Sequence, residues 1–345
     1  MSTKPSRFLE SEEKNLGGLD QFVAQLNDWG KQKIPFLFLI DFELKKPIAI
    51  KLSDVDATEI LYDFSGISNT NNQHTKSSIF DKTTLLELKK IPLALHEYQR
   101  KFDLVTRHLN YGDSFLTNLT AKTQIATSYS LKDLFYISHA KYKLWWKDQF
   151  LFFSPETFIQ IRGNTMLSFP MKGTIDATIS NAEEIILNDE KELAEHITIV
   201  DLIRNDISRV ATDVKVNRFR FIEHISTSNR NLLQVSSEIE GKLPEEYSST
   251  LGDIIISLLP AGSVSGAPKK KTLEIISEAE GEERGYYTGV CGYFDGKMLD
   301  SAVMIRFIEQ HNGTYFYRSG GGITVRSEAE KEYQELNDKI YVPID

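Results

Sequence analysis

The sequence predicts an α+β protein in which large, mainly antiparallel β-sheets are flanked by helices, and three observations carry that reading. Short runs rich in Phe, Tyr, Ile, Leu and Val recur along most of the chain, each closed by Gly, Pro, Asn or charged residues, as strands and their turns are. Segments with helical spacing lie among them without the regular strand-helix beat of a parallel sheet. The 345 residues, 41% hydrophobic and 26% charged, can bury a large core, arranged as two domains or one intertwined one.

Taken in order, Pro35 to Leu52 holds two apolar runs separated by Lys45-Lys46-Pro47 and reads as strand, turn, strand. Ser65 to Ser78, dense in Asn, Ser and Thr, reads as a surface loop before a helical stretch from Thr83, with a soft boundary near residue 80. Ile91 to Leu109 has helical spacing and is stopped by Tyr111-Gly112-Asp113 before a strand over Ser114 to Thr120. Tyr142 to Phe153, Phe158 to Ile161 and Met166 to Phe169 read as the successive strands of an antiparallel meander. Asn181 to Asn205 is the clearest helix. Gly285 to Ile308 and Thr314 to Val325 read as strands, and Ser327 to Ile340 as a helix. No internal repeat or low-complexity tract is visible. The organisation expected is a short N-terminal region, residues 1–84, contributing strands to the same fold as a catalytic domain over 85–342.

Composition excludes several classes. No apolar run approaches the ~20 residues of a membrane-spanning helix, and Met1 to Arg7 leads into acidic sequence rather than a signal peptide. With Cys291 as the sole cysteine, the expectation is a reducing, cytoplasmic setting. A formal net charge of -9 argues against a nucleic-acid partner, and Lys269-Lys270-Lys271 is too short to reverse that.

Two helices offer paired carboxylates. Glu192 and Glu195 are three apart beside His196, while Leu193, Ile197 and Val200 supply another face; Glu332 and Glu335 repeat the spacing, with Lys339 one turn beyond. Carboxylate oxygens suit a hard ion such as Mg²⁺. Either pair alone reads more readily as a solvated acidic face, and Glu190-Lys191-Glu192 shows the same ambiguity. Ser319-Gly320-Gly321-Gly322-Ile323 reads as a glycine-rich loop whose amides could cradle a carboxylate, or as a tight turn. Pro260 to Lys269 tempts a phosphate-loop reading, but Ala267 stands where that motif needs glycine. Arg306 projects from an otherwise apolar strand and needs an anionic partner, whether structural or a substrate. Lys172, in Pro170-Met171-Lys172-Gly173-Thr174, reads on its own as an exposed lysine beside a turn glycine.

In order along the chain, Ser154-Pro155-Glu156, Met171-Lys172-Gly173-Thr174, Glu195-His196 with Val200 to Asp206, Gly262 to Lys269, Gly289-Val290-Cys291-Gly292-Tyr293, Ile305-Arg306, the Gly320 to Gly322 triplet and Glu332-Tyr333-Gln334-Glu335 fall in register with a known pattern. Roughly residues 85 to 342 resemble the chorismate-utilising enzymes, and within them aminodeoxychorismate synthase component I, the para-aminobenzoate synthase branch. That branch carries lysine at the position of Lys172, where the anthranilate, isochorismate and salicylate synthases carry alanine. The resemblance implies two large antiparallel sheets packed together, as in anthranilate synthase component I, and an amino-transferring reaction. Chorismate and ammonia would give 4-amino-4-deoxychorismate for 4-aminobenzoate and folate biosynthesis, with ammonia delivered by a glutaminase partner, component II.

By the same resemblance Glu195 and Glu335 are Mg²⁺ ligands, with Glu192 and Glu332 as water-mediated supports. Arg306, Lys339 and the amides of Gly320, Gly321 and Gly322 hold the substrate's two carboxylates; Gly173, Thr174, Ser263 and Tyr293 are further pocket contacts. Glu156 is the general acid and Lys172 the nucleophile, an amine made usable by neighbouring cations or apolar surface. Two positions depart from the pattern: Leu116 stands where relatives place Gln or a base lysine, and Gln234 where a histidine is linked to pyruvate elimination. The competing readings are anthranilate synthase component I and a non-catalytic chorismate-binding subunit that activates a glutaminase. Cys291 lies in a strand-like Gly-Val-Cys-Gly-Tyr, so no glutaminase nucleophile is expected here. The N-terminal region resembles a shortened form of one that holds tryptophan in longer members, and Leu9-Glu10-Ser11 echoes its motif.

Overall fold

The computed structural model describes residues 18–70, 87–226 and 231–344; the Leu9 to Ser11 motif, most of the Ser65 to Ser78 loop and the start expected at Thr83 lie outside them. Two nine-stranded sheets dominate, and the strand pairs within them are antiparallel. The first runs in space through Met171–Asp176, Asn231–Lys242, Thr165–Ser168, Thr157–Arg162, Leu299–Val303, Val290–Phe294, Phe36–Ile40 and Ile48–Lys51, with Thr212–Ser226 also paired to Asn231–Lys242. The second runs through Gly266–Ala267, Leu116–Ala126, Thr314–Ile323, Phe307–His311, Phe150–Ser154, Tyr142–Trp146, Ile60–Phe64 and Ile67–Ser68, with Lys89–Ile91 beside Leu116–Ala126.

The continuous apolar run Phe36–Ile40 shows how the layers stack, because a strand that is apolar at every position is buried on both faces. Leu37 and Leu39 meet Leu144, Phe152 and Tyr142 of the other sheet. Phe36, Phe38 and Ile40 face outward onto Phe22 and Leu26 of the Leu19–Lys31 helix and Ile254 and Ile255 of the Leu251–Ser257 helix. The second sheet is covered likewise: Leu151, Phe153 and Tyr317 pack on the Leu131–Ile137 helix, and Leu119, Ala121 and Ile323 on the Leu95–Tyr111 and Lys269–Glu280 helices. Among the described residues no helix is long and apolar enough to cross a membrane.

Several expectations need correction. The Tyr142 to Phe169 strands are not one meander, since Tyr142–Trp146 and Phe150–Ser154 belong to the second sheet and Thr157–Arg162 and Thr165–Ser168 to the first. Hydrophobic pattern tells which face of a strand is buried, not which sheet it joins. The helix expected over Asn181 to Asn205 is two, Ala182–Asn188 and Glu190–Ile207. Asp189 separates them in an extended conformation and caps the second by accepting a bond from the Glu192 amide at 2.9 Å. Helical spacing read from Ile91 begins only at Leu95, and Gly112 ends it in the left-handed conformation at φ 91°. The helices Leu19–Lys31, Leu251–Ser257 and Lys269–Glu280, and the long hairpin of Thr212–Ser226 with Asn231–Lys242, were not anticipated.

Candidate active site

The chain passes between the sheets at Ser154-Pro155-Glu156, and passes back at Met304-Ile305-Arg306. These crossings run side by side: the Val303 amide donates to the Glu156 carbonyl, and the Phe153 amide to the Arg306 carbonyl, each at 3.2 Å. Arg306 therefore does not project from a strand, as its sequence suggests, but sits at a bend with φ 53°. The left-handed backbone is costly for a residue with a Cβ. It puts the guanidinium near Tyr287, Tyr317 and Tyr341, whose ring centroid is 5.3 Å away. The Arg306 Nε is buried without a hydrogen-bond partner, and among the described residues no carboxylate lies within ion-pair distance of it. Such a group fits an anionic ligand.

Glu156 accepts a hydrogen bond from Ser263 on the Gly262–Val264 turn. Burial pushes its carboxyl up, against the opposing effects of the Ser263 bond and of Lys172, Arg306 and Lys339. A carboxyl so placed keeps its proton longer than a free one and can donate it.

On the other side of the site the two carboxylate helices meet. Lys191, on Glu190–Ile207, lies 3.8 Å from Glu195 Oε1 on its own helix and 3.8 Å from Glu332 Oε1 on the Ala329–Asp338 helix. Lys172 Nζ lies 3.7 Å from Glu195 Oε2, and Lys339 pairs with Glu335 at 2.7 Å while donating to the Gly320 carbonyl at 2.9 Å. Burial and then the Glu195 charge raise the Glu192 carboxyl; burial and the Glu335 and Glu195 charges raise Glu332, against a Ser327 bond and Lys191. Burial also raises Glu335, but Lys339, Lys172 and Lys191 together leave it lowered. For Lys339, burial and the nearby Arg306 and Lys172 outweigh Glu335 and lower the amine. Crowded carboxylates facing one another are a donor set that a hard divalent cation satisfies. With the lysines between them, no three His, Cys, Asp or Glu side chains among the described residues come together closely enough to hold an ion.

Glycine fits these parts together. Gly173, at φ 77°, has no Cβ where one would lie 3.0 Å from Glu192 Oε2. The Gly320 to Gly322 triplet is not a loop: it is the end of the Thr314–Ile323 strand, paired with Thr120, Leu119 and Asn118. Its role is closeness. A Cβ on Gly321 would stand 3.5 Å from Glu332 Oε2 and 3.6 Å from Lys339 Nζ, and one on Gly322 3.0 Å from Leu116 Cδ1 and 3.4 Å from Lys172 Nζ. The glycines thus line the floor between Lys172, Lys339 and the glutamates.

Not every expected residue arrives there. Tyr293 is buried in the intersheet core against Phe64, at 5.8 Å between ring centroids. Tyr287 stands beside Arg306 with Tyr317 and Tyr341, and burial pushes its phenol up to about 12 even though Arg284 and Arg306 pull it down. Thr174 is exposed, and its partner across the strands is Gln234. His196 is buried with Nε2 2.7 Å from Ser237 Oγ; burial, then Arg220 and Lys172, lower it to about 4, so it is a neutral packing residue at neutral pH. Lys269 donates to both Asp206 carboxylate oxygens at 2.9 Å, tying the end of the Glu190–Ile207 helix to the loop that carries Ser263. A large cleft of about 1000 Å³, lined by Trp29, Trp146 and Tyr286, contains none of these charged residues. Chemistry rather than size marks the site.

Residues 14 to 345 match the family described as chorismate binding enzyme. The chain is 48% identical over 327 residues to an uncharacterized PabA-like protein of Haemophilus influenzae, covering 95% of this chain and 98% of that one. It is 31% identical over 265 residues to aminodeoxychorismate synthase component 1 of Bacillus subtilis, covering 72% of this chain and 55% of that one. Anthranilate synthase component I from Streptococcus pneumoniae shares the fold with a TM-score of 0.64 at 28% identity, over 74% of this chain and 59% of that one. Two packed antiparallel sheets, a site of converging carboxylates and lysines, and a match across almost the whole chain lead to one conclusion: the chain belongs to the chorismate binding enzyme family.

Proposed function

We propose that this protein is the chorismate-aminating subunit of aminodeoxychorismate synthase. It would convert chorismate and ammonia to 4-amino-4-deoxychorismate and water, with ammonia supplied by a glutaminase subunit and the product serving 4-aminobenzoate and folate synthesis. The observation that carries this is Lys172, an amine between Glu195 and the Gly322 backbone, at the position where the resemblance puts alanine in the anthranilate-forming branch.

In this reading Arg306 and Lys339 hold the two carboxylates of chorismate, and the glycine strand lets the ring lie close to Lys172. Lys172, once it has shed a proton, adds to ring carbon 2 while Glu156 protonates the departing 4-hydroxyl, which leaves as water. Ammonia then adds at carbon 4 and the electrons return through the ring to expel the Lys172 amine. Glu195 and Glu335, supported by Glu192 and Glu332, would hold Mg²⁺, which supplies charge neutralisation for a substrate carboxylate.

The test is the product made from chorismate, Mg²⁺ and ammonium, followed by mass. Aminodeoxychorismate without pyruvate release is expected; anthranilate would sink the proposal in favour of the anthranilate synthase reading, and no product at all would favour a non-catalytic subunit. Lys172→Arg keeps the charge but not the nucleophile, so it should bind chorismate and lose turnover by about two or more orders of magnitude. Intact-protein mass of the wild type held with chorismate and no ammonia should show an adduct that Lys172→Arg lacks. Near-normal turnover of that variant would remove the covalent step.

A further inference from the structure

We infer that Lys191 is a resident counter-ion of the glutamate cluster, one that holds the two carboxylate helices together in the metal-free protein and gives way when Mg²⁺ enters. This rests on the reading of Glu195 and Glu335 as metal ligands. Among the described residues three lysines touch the cluster, and their contacts differ in kind. Lys339 is anchored by a 2.7 Å pair with Glu335 and a 2.9 Å bond to the Gly320 carbonyl. Lys172 lies on the strand floor with 23% of its side chain exposed. Lys191 is the one that joins the two helices, at 3.8 Å from Glu195 and 3.8 Å from Glu332, and its side chain is 47% exposed.

Those separations are longer than a charge-assisted hydrogen bond, so the ammonium is held by charge alone and by no fixed geometry. It also lines a hollow of about 240 Å³ with Phe115, Leu116 and Thr324, which leaves the four-carbon side chain room to withdraw without disturbing the core. A single ammonium offsets one charge of a cluster that spans two helices. A divalent cation brings two charges to the same oxygens and binds them directly. Lys191 therefore competes with the metal: it stabilises the empty cluster and weakens Mg²⁺ binding by the free energy needed to displace it.

Isothermal titration of Mg²⁺ into the whole chain tests this without turnover. Lys191→Met keeps the length and apolar stem and removes the charge, and should bind Mg²⁺ about three- to tenfold more tightly, the worth of one or two half-exposed ion pairs. Its metal-free melting temperature should fall, and the rise on adding Mg²⁺ should exceed that of the wild type. Lys191→Gln should behave the same way, and Lys191→Arg should restore the wild-type affinity. Lys331→Met is the control, because it removes the same charge from the exposed side of the Ala329–Asp338 helix, where Lys331 pairs with Glu328. Unchanged or weaker Mg²⁺ binding by both uncharged variants at position 191 would overturn the inference, and so would equal tightening by Lys331→Met, which would show a net-charge effect. Wild-type Mg²⁺ binding by Glu195→Gln and Glu335→Gln would instead overturn the metal reading itself.

Discussion

Glu156 shows how much of a residue's chemistry comes from its neighbours. Burial favours the protonated carboxyl, while the Ser263 hydroxyl and three nearby cations favour the carboxylate, and burial prevails. A general acid works only while protonated, so chorismate turnover should fall as pH rises through the elevated Glu156 value, and that alkaline limb should disappear in Glu156→Gln. That variant retains shape and loses the proton, and its rate should drop by about 10²–10⁴-fold at the optimum. A pH-rate profile of kcat/KM checks both. An unchanged alkaline limb in Glu156→Gln would assign the acid elsewhere. The resemblance named Lys172, Glu156, Glu195 and Glu335 together, and the fold brings their charges within reach of one another. Tyr287 was not. The Gly-Tyr-Tyr and Cys-Gly-Tyr segments offer several tyrosines, and only the crossing between sheets decides that Tyr287 rather than Tyr293 joins Tyr317 and Tyr341 near Arg306.

At the scale of elements, the site depends on partners that do no chemistry. Arg284, 1% exposed, donates to both carboxylate oxygens of Glu280, at 2.9 and 2.6 Å, to the Val264 carbonyl at 2.8 Å and to the Asn118 carbonyl at 2.8 Å. Glu280 in turn accepts from the Thr120 amide at 2.9 Å. One ion pair thus pins the Lys269–Glu280 helix to the turn that carries Ser263 and to the strand that backs the three glycines. Its charges are satisfied only together, so Arg284→Met should cost about 3–5 kcal/mol by leaving Glu280 buried and unpaired. The double variant with Glu280→Leu should recover much of that loss. Chemical denaturation of the single and double variants measures it, and a loss under about 1 kcal/mol would mean that water satisfies Glu280. Nothing in the periodicity marks this pair, since Glu280 and Arg284 at i and i+4 look like an ordinary surface pair. The break at Asp189 escaped for a similar reason: an aspartate inside a helical pattern costs little in propensity, and only the cap it forms shows that the helix restarts there.

For the whole molecule, patterning made the α+β class and the antiparallel pairing legible, but the assignment of strands to sheets was not, because Phe150–Ser154 and Thr157–Arg162 are both buried along nearly their whole length and nothing in either run names its partner strands. That assignment is what builds the site. The two crossings join interior strands of the sheets, and the crossings, the glycine strand and the two carboxylate helices meet in one place, so a ligand there couples distant parts of the chain. Mg²⁺ held by Glu195 and Glu335 would bridge helices that are far apart in sequence, and should stabilise the native state by about 2.7 kcal/mol at a hundredfold excess over its Kd. The thermal midpoint should then rise by a few degrees with added Mg²⁺ and fall back on chelation. Glu195→Gln and Glu335→Gln keep the packing and remove a charge, so both should melt cooperatively without responding to Mg²⁺, and their activity should require much higher Mg²⁺ or vanish. Scanning calorimetry of the three proteins with Mg²⁺ and with EDTA decides the matter. A Mg²⁺-dependent rise that persists undiminished in both variants would place the cation somewhere other than between the two helices.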